Sequence, residues 1–263
     1  MILQKLKNLR NWFGFVEEKL NSIQSEVKSI THSNYYKPSY AQHGEDVLLL
    51  NLFQDVLGIK KPSYIDIGAH HPFEISNTAI FYANGCNGCN IEANPVLFKN
   101  FQVYRPHDIN ICCGVSDITG EMPFYMIDET SGRNSFDKTL LEKYIKKEPE
   151  HAIQEVKTIP CRTLNDIFEK ELKNKIPDYM SIDIEGLEYR VLKTFNLEKY
   201  APKIITLEIN RDNISMTSSI LELLEKSNYF LYLKIHSNYT FVQKNIMTLF
   251  TSKFLYTTGR LAV

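Results

Sequence analysis

The sequence lacks long hydrophobic runs. Apolar stretches such as Val47–Leu50 are far shorter than the about 20 residues that a membrane-spanning helix needs, so we expect no transmembrane segment. The first ten residues hold no apolar block followed by a small-residue cleavage site, and we expect no secretory signal. With only 11 glycines and 10 prolines among 263 residues, the chain is not of the low-complexity or collagen-like kind. Its length suits one large α/β domain with an appendage.

The sequence also lacks an excess of either charge. Thirty basic residues face thirty-one acidic ones, which leaves a net charge of −1 and no positive field to attract nucleic acid. The five cysteines are an odd number, and Cys112 and Cys113 are adjacent, which favours reduced thiols in a cytoplasmic protein. Cys86 and Cys89 have a zinc-like spacing, but neighbouring residues of a strand point to opposite faces, so the adjacent pair cannot easily complete a zinc site. We therefore expect these cysteines to serve only in packing.

Residues 1–30 repeat apolar side chains at a strict alternating spacing of four and three. This heptad pattern is typical of a coiled coil, and it predicts an oligomerisation helix at 1–33 ahead of a catalytic domain at 34–263. The alternative is a helix lying on an anionic membrane surface, because basic residues stand beside Trp12 and Phe13. We favour a homo-oligomer, since three acidic residues weaken membrane attraction. The apolar positions are Ile2, Leu6, Leu9, Phe13, Val16, Leu20, Ile23, Val27 and Ile30.

From residue 40 onward, short apolar stretches alternate with helical ones, which indicates right-handed βαβ units and a mostly parallel sheet with helices on both faces. The rhythm breaks at about 115–165, which we interpret as an insertion on the substrate side. Strands are predicted at 64–67, 88–91, 109–113, 179–182, 204–208, 229–235 and 240–243. Helices are predicted at 45–57, 76–84, 95–101, 164–172, 187–195 and 218–226.

Acidic residues stand at the ends of several predicted strands. Asp66, Glu92, Asp183 and Glu208 each end or directly follow one, and Glu185 lies close beyond. Because ligands of open α/β sheets bind at the carboxyl ends of the strands, these acids should meet at one edge of the sheet. Their convergence points to a functional site rather than to helix capping alone.

The first turn distinguishes between nucleotide cofactors. It contains Gly68 but lacks the later glycines of the Gly-x-Gly-x-x-Gly loop that lets backbone amides approach a pyrophosphate. Asp66 would repel a pyrophosphate, whereas it suits a ligand that carries an amino group and a sulfonium. Glu92 can accept hydrogen bonds from the two hydroxyls of a ribose. Together these features predict S-adenosylmethionine as the cofactor.

Five runs in this sequence, in the expected order, resemble the FkbM family of methyltransferases. The similarity covers about residues 40–210. It implies a Rossmann-like seven-stranded methyltransferase fold, S-adenosylmethionine as the methyl donor, and O-methylation of a hydroxyl, typically of a sugar or polyketide. The five runs are Tyr40–Asp46, Tyr64–Pro72, Ser76–Thr78, Asn90–Pro95 and Ser181–Gly186.

The resemblance also implies which residues bind the donor. Asp66, Gly68 and Ala69 would cradle the methionine end, and Glu92 would hold the ribose. Ser116 or Asp117 would lie near the adenine, while the segment before the first strand would close over the donor. The full donor-binding set is Gln42, Gly44, Glu45, Asp66, Gly68, Ala69, Asn77, Thr78, Glu92, Asn94, Ser116 and Asp117.

Methyl transfer to a hydroxyl needs a group that removes the hydroxyl proton. Asp183 and Glu185 are the first candidates, followed by Glu208 and then His70. In the alternative interpretation, the first two cap the following helix, and His70 packs against a helix. Asp183, Glu208 and Asn210 could also bind Mg²⁺, which prefers carboxylate oxygens.

The insertion contains Arg133, which could bind a phosphate if the acceptor is a sugar nucleotide; the alternative is a solvated loop. The predicted function is that of an S-adenosylmethionine-dependent O-methyltransferase acting on a sugar. The sugar would be a nucleotide sugar or part of a surface-glycan precursor in polysaccharide biosynthesis. The alternatives are a non-catalytic scaffold on the same fold and an NAD-binding oxidoreductase, which the missing glycines disfavour.

Overall fold

A computed structural model describes Lys19, residues 38–209 and residues 213–246. Apart from Lys19, the predicted heptad segment at 1–33 lies outside the described residues, and so does the candidate metal ligand Asn210. None of the helices in the described ranges combines the length and the apolar character that a membrane crossing requires.

The described ranges alternate strands and helices, as the sequence predicts. The helices are α1 (Glu45–Asn51, continued by a π-helical turn at Leu52–Val56), α2 (Ala79–Ala83), α3 (Pro95–Tyr104), α4 (Lys138–Lys147), α5 (Leu164–Lys170), α6 (Glu188–Thr194) and α7 (Ile214–Lys226), and a 3-10 turn follows at Lys244–Ile246. The strands are β1 (Tyr64–Ile67), β2 (Gly88–Glu92), β3 (Ile109–Cys112), β4 (Gly114–Val115), β5 (Gly120–Met126), β6 (Glu155–Arg162), β7 (Tyr179–Ile182), β8 (Ile204–Glu208), β9 (Tyr229–Ile235) and β10 (Asn238–Gln243).

Seven strands form the main sheet in the order β3-β2-β1-β7-β8-β10-β9. The pairs from β3 to β8 are parallel, and β10 runs antiparallel to both of its neighbours. Alternate residues of β1 serve different cores: Ile65 and Ile67 pack into one apolar cluster, and Tyr64 packs into another. The sheet is therefore covered on both faces, which explains why β1 and β7 are buried at every position. The predicted mostly parallel α/β fold is confirmed.

The interruption at 115–165 forms a second sheet of three strands. β6 lies in the middle, parallel to β4 and antiparallel to β5. Phe124, Met126 and Ile159 form its own small apolar cluster. The insertion therefore has a framework of its own, from which the 128–137 loop and α4 extend.

Candidate active site

A cavity of about 630 Å³ opens where β1, β2, β7 and β8 end. This volume is typical of a small-molecule site. Six acidic residues line it: Asp66, Glu92, Asp183, Glu185, Glu188 and Glu208. Within the part of the chain that the structure describes, Arg133 is the only arginine or lysine in the lining. The chemistry of the cavity therefore favours cationic or uncharged ligands over a bare pyrophosphate.

The central strands β1 and β7 come very close at the floor of this cavity. Gly68 has a φ of +77°, and a Cβ at this position would lie 1.7 Å from the main-chain oxygen of Asp183. The amide of Asp183 in turn donates to the carbonyl of Ile67 at 2.9 Å. Only glycine fits there, because a side chain would push the two strand ends apart. This contact brings the acids that follow β1 and β7 into one cavity.

We name the acids of the first half of the sheet, Asp66 and Glu92, together with Gly68, the β1–β2 side of the cavity. Glu92 accepts backbone hydrogen bonds from His70 at 2.8 Å and from Asn94 at 2.7 Å. Asp66 accepts a hydrogen bond from the hydroxyl of Thr78 at 2.6 Å. Burial raises the pKa of both carboxyls, and these donors oppose the rise. Each acid on this side is thus held in a fixed orientation.

Asp183, Glu185 and Glu208 form the β7–β8 side. Carboxylate oxygens of these three residues lie within 4.8 Å of one another. Burial, followed by the charges of Glu208 and Glu185, raises the pKa of Asp183 well above its ordinary range. Burial and the neighbouring carboxylates likewise raise the pKa of Glu185 to about 8. This side can therefore hold and release a proton near neutral pH, or hold a cation among its oxygens.

Glu188 explains why the acids of the β7–β8 side are free to face the cavity. Its carboxylate accepts the backbone amides of Ile184 and Gly186 at 3.1 Å, which satisfies the turn that leads into α6. Burial raises its pKa to about 7, against these hydrogen bonds. α6 has no side-chain cap at its N-terminus, so neither Asp183 nor Glu185 has the capping role that the alternative interpretation gave them, and Glu188 instead closes the preceding turn. Glu188 was not among the predicted site residues, although an acid in the first turn of a helix is a known signal.

The 128–137 loop of the insertion bridges the two sides. The side-chain amide of Asn94 donates to the carbonyl of Glu129 at 2.7 Å. The hydroxyl of Ser135 donates to the carbonyl of Glu185 at 2.8 Å. Nε2 of His70 lies 3.1 Å from the carbonyl oxygen of Thr130. A carbonyl oxygen only accepts, so Nε2 is the donor in that contact. His70 thus connects the loop to the β1–β2 side.

The structure brings most of the predicted site residues together, but not all. Five of them lie outside the cavity lining. Glu45 accepts hydrogen bonds from Asn238 and from the amide of His43. Thr78 is fully buried behind Asp66. Asp117 pairs with Arg190 at 2.7 Å. The residues outside the lining are Gly44, Glu45, Thr78, Ser116 and Asp117, and those within it are Gln42, Asp66, Gly68, Ala69, His70, Asn77, Glu92, Asn94, Asp183, Glu185 and Glu208.

Donor contact at these five positions stays a prediction, and several of their side chains are hydrogen-bonded to other residues of the protein. Ser116 is buried and its hydroxyl donates to Asp117, so neither faces the cavity. Gly44 lies directly before α1 with a φ of +83°, a turn conformation that glycine adopts easily.

Two residues that were not among the predicted site residues line the cavity beside Glu208. Ser237 donates to Glu208 at 2.7 Å, and His236 precedes Ser237 in the chain. No local pattern in the sequence distinguishes Ser237 from the other serines.

The family model described as the methyltransferase FkbM domain matches residues 66–231. That range covers more than half of the chain and contains both sides of the cavity. The chain belongs to the FkbM methyltransferase family. The family is one of S-adenosylmethionine-dependent methyltransferases, and the acidic cavity of this FkbM protein, which has no pyrophosphate loop, fits that cationic donor. A search among curated proteins found no match.

Three solved structures are similar to this FkbM protein over most of its length. One is provisionally assigned as a caffeoyl-CoA O-methyltransferase from Staphylococcus aureus, with 11% identity, a TM-score of 0.39, and coverage of 88% of this chain and 96% of that one. Another is a precorrin-6y C5,15-methyltransferase from Geobacter metallireducens, with 12% identity, a TM-score of 0.35, and coverage of 79% and 93%. A third is a SAM-dependent methyltransferase from Agrobacterium tumefaciens, with 9% identity, a TM-score of 0.37, and coverage of 76% and 62%.

Proposed function

We propose that this FkbM protein transfers the methyl group of S-adenosylmethionine to a hydroxyl of a sugar. The observation that carries the proposal is that two chemically different sets of acids open into one cavity. On the β1–β2 side, Asp66 and Glu92 are oriented by hydrogen bonds. On the β7–β8 side, the carboxylates face one another. The first set suits recognition of the donor, and the second suits removal of a proton.

When bound, S-adenosylmethionine supplies an electrophilic methyl group. Asp66 would hold the positively charged methionine end, and Glu92 would accept hydrogen bonds from the ribose hydroxyls. Asp183 is placed to accept the proton of the acceptor hydroxyl as that oxygen becomes nucleophilic, and its raised pKa makes it a better base than an ordinary carboxylate. Glu208 and Glu185 sustain that pKa. Holding both reactants in one cavity supplies much of the remaining rate.

The insertion supports a sugar acceptor, either as a nucleotide sugar or within a surface-glycan precursor. Its 128–137 loop contributes Ser131, Arg133 and Asn134 to the lining, and these groups can bind hydroxyls. The exposed guanidinium of Arg133 lies 4.0 Å from the ring centroid of Tyr144. It can meet a phosphate at the rim while the acidic floor meets the sugar. A role in polysaccharide biosynthesis follows from this acceptor class.

As an alternative to Asp183 acting as a free base, we propose that the β7–β8 side binds Mg²⁺. Asp183, Glu185 and Glu208 offer three carboxylate oxygens close enough to hold one ion, which fits the oxygen preference of Mg²⁺. Such an ion would orient acceptor hydroxyls. Compared with the sequence prediction, Glu185 joins the ligand set, and Asn210 lies outside the described residues. Turnover that is undiminished after exhaustive chelation with EDTA would exclude a required ion.

Calorimetry with S-adenosylhomocysteine tests the donor half of the proposal. We expect micromolar binding by the full-length chain, no comparable binding of NAD, and loss of affinity in Glu92→Ala. Glu121→Ala is a matched control, because Glu121 is exposed on β5. If no binding occurs at millimolar ligand, the proposal is wrong and a non-catalytic scaffold becomes the better interpretation.

Incubation with labelled donor and a panel of sugars tests the acceptor half. The panel should hold nucleotide sugars, free sugars and glycan precursors, with mass spectrometry as the readout. A gain of one methyl group on a hydroxyl identifies the acceptor class. Methylation that is confined to nitrogen or carbon acceptors would contradict O-methylation.

We also propose that the heptad segment joins identical chains of a cytoplasmic protein. Light scattering of the full-length chain should then report an oligomer. Leu6→Asp combined with Leu20→Asp should reduce its size, since both leucines occupy the heptad seam. A monomer that pellets with anionic vesicles would favour the membrane-surface alternative instead.

A further inference from the structure

Arg105 is fully buried directly after α3, on the face of the sheet that carries Asp66. One terminal nitrogen donates to the hydroxyl of Thr78 at 2.8 Å and to the side-chain oxygen of Asn90 at 3.0 Å. The other donates to the hydroxyl of Ser76 at 3.0 Å and to the carbonyl of Pro72. Among the described residues, no carboxylate forms a salt bridge with this guanidinium. A buried charge without an anion in direct contact is costly and needs a reason.

Aromatic rings replace the solvent around Arg105. The centre of its guanidinium lies 5.8 Å from the ring centroid of Phe73 and 5.6 Å from those of Tyr82 and Phe101. These rings present their negative faces to the cation and compensate part of its desolvation. Nε of Arg105 has no hydrogen-bond partner among the described residues. The groups that bind the two terminal nitrogens therefore set the position of the guanidinium, although its hydrogen bonding is not complete.

Thr78 links this buried cation to the cavity. Its hydroxyl oxygen accepts a hydrogen bond from Arg105, so its single proton is free for Asp66, to which it donates at 2.6 Å. The two hydrogen bonds therefore point the same way, from the buried cation of Arg105 through Thr78 to the carboxylate of Asp66, which lines the cavity. A hydrogen bond whose donor is polarised by a cation is strengthened in a buried environment.

We propose that Arg105 and Thr78 are positioning residues that keep Asp66 as an oriented anion for the positively charged end of the donor. The inference rests on the proposed function, because that function assigns the donor to the β1–β2 side. Asp66 needs such help, since its other charged or titratable neighbours do not stabilise an anion there. Asp108 and Glu92 are acidic, and the phenols of Tyr64 and Tyr179 and the thiol of Cys89 carry no positive charge; all five interact electrostatically with Asp66. Arg105 is the cation that acts on it.

The test removes the central hydroxyl without changing its shape. Thr78→Val deletes the link, Thr78→Ser restores it, and the dissociation constant of S-adenosylhomocysteine is measured by calorimetry from pH 5 to pH 8. We expect Thr78→Val to weaken binding by about tenfold at pH 7, the cost of one hydrogen bond to a charged group. We also expect Thr78→Val to lose binding at a higher pH than the wild type. Without the hydrogen bond from Thr78, Asp66 takes up a proton more easily. Thr78→Ser should bind like the wild type.

Thr240→Val is the matched control. Thr240 is a buried threonine of β10 whose hydroxyl contacts that of Thr206 at 2.9 Å, and it does not line the cavity. It should lose comparable stability without a change in donor affinity or in the pH profile. Thermal denaturation of every variant confirms that each is folded.

The outcomes separate the two proposals. If the wild type does not bind S-adenosylhomocysteine, the proposed function fails. If the wild type binds and folded Thr78→Val binds equally well with the same pH profile, the positioning role is wrong. Arg105→Lys provides a second measurement, because lysine keeps the charge but loses the two-nitrogen geometry; if folded, it should also weaken binding, and unchanged affinity would overturn the role of the guanidinium.

Discussion

The β1–β2 side and the β7–β8 side of the cavity are both acidic, yet they treat their charges differently. Asp66 and Glu92 each accept hydrogen bonds from groups that are fixed by the fold. Asp183 and Glu185 instead face other carboxylates, and burial together with these neighbours raises their pKa values. Charges that are satisfied orient a ligand, whereas charges that repel one another remain available for proton transfer or cation binding. Replacing the same chemical group on each side should separate these roles.

The largest effect is expected at Asp183. Asp183→Asn removes the base and should lower kcat by about 1000-fold, within the range typical of general-base catalysis. The dissociation constant of S-adenosylhomocysteine should stay within about threefold, because the change affects the transition state more than donor binding. Single-turnover kinetics and calorimetry measure the two quantities. Asp55→Asn, at an exposed position of the π-helical turn, serves as control, and full activity of Asp183→Asn would remove this residue from the chemistry.

The same substitution on the other side should give the opposite pattern. Asp66→Asn should weaken binding of S-adenosylhomocysteine by about 30-fold, since a charged hydrogen-bond partner of the donor is lost. At saturating donor, kcat should fall only a few-fold. A variant that loses kcat while keeping its donor affinity would show that the two sides do not divide the work as we propose.

The third effect depends on pH. Because burial and neighbouring acids raise the pKa of Asp183, the base should become available only as the pH rises, and kcat measured from pH 5 to pH 8 should increase over that interval. Glu185→Gln removes one repelling charge, so the acidic limb of the profile should move to lower pH. A flat profile over this interval, or a limb that Glu185→Gln leaves in place, would contradict mutual repulsion as the cause.

The smallest effect concerns stability. Burial and neighbouring acids raise the pKa of Glu185 to about 8, so the folded state binds more protons than the unfolded state from about pH 4.5 to 8. The resulting stabilisation is present at low pH and is lost as the pH rises through that interval. Asp183→Asn relieves the repulsion and should raise Tm at pH 8 by about 2–4 °C, equivalent to about 1 kcal/mol. The gain should shrink at pH 5, and an equal gain at both pH values would contradict electrostatic repulsion as its cause.

The sequence predicted the central strands well, because each is an apolar run that ends at a functional residue. The predicted strands 64–67, 179–182 and 204–208 coincide with β1, β7 and β8. Gathering the acids at one edge followed from parallel topology alone. These features are local in sequence, so pattern and spacing were sufficient for them.

Helix starts were predicted less well, because they depend on distant partners. The helix predicted from Ser76 begins at Ala79, since Ser76 is used in tertiary contacts with Tyr40 and Arg105. Conversely, α7 begins four residues before the predicted 218, where Asn213 accepts the amide of Met216 at 3.1 Å. That asparagine cap was readable in the sequence and was missed.

The supporting residues of the site could not be predicted from one sequence. Arg105 follows a helix in a polar stretch, and nothing local indicates that it is buried. Its role depends on Thr78, which lies 27 positions earlier in the chain. Charged residues are almost never fully buried, so a reader of the sequence places such an arginine at the surface.

The short strand β4 has a consequence for how this enzyme family can diversify. Gly114 and Val115 pair with Cys161 and Arg162, so the chain leaves and re-enters the vicinity of the main sheet at neighbouring positions. The segment between these paired residues can be lengthened, shortened or replaced while its two ends keep their register. The entropic cost of closing a loop increases only slowly with its length. Under the proposed function, recombination at this junction would replace the acceptor-binding insertion in a single genetic step and leave the methyl-transferring core unchanged.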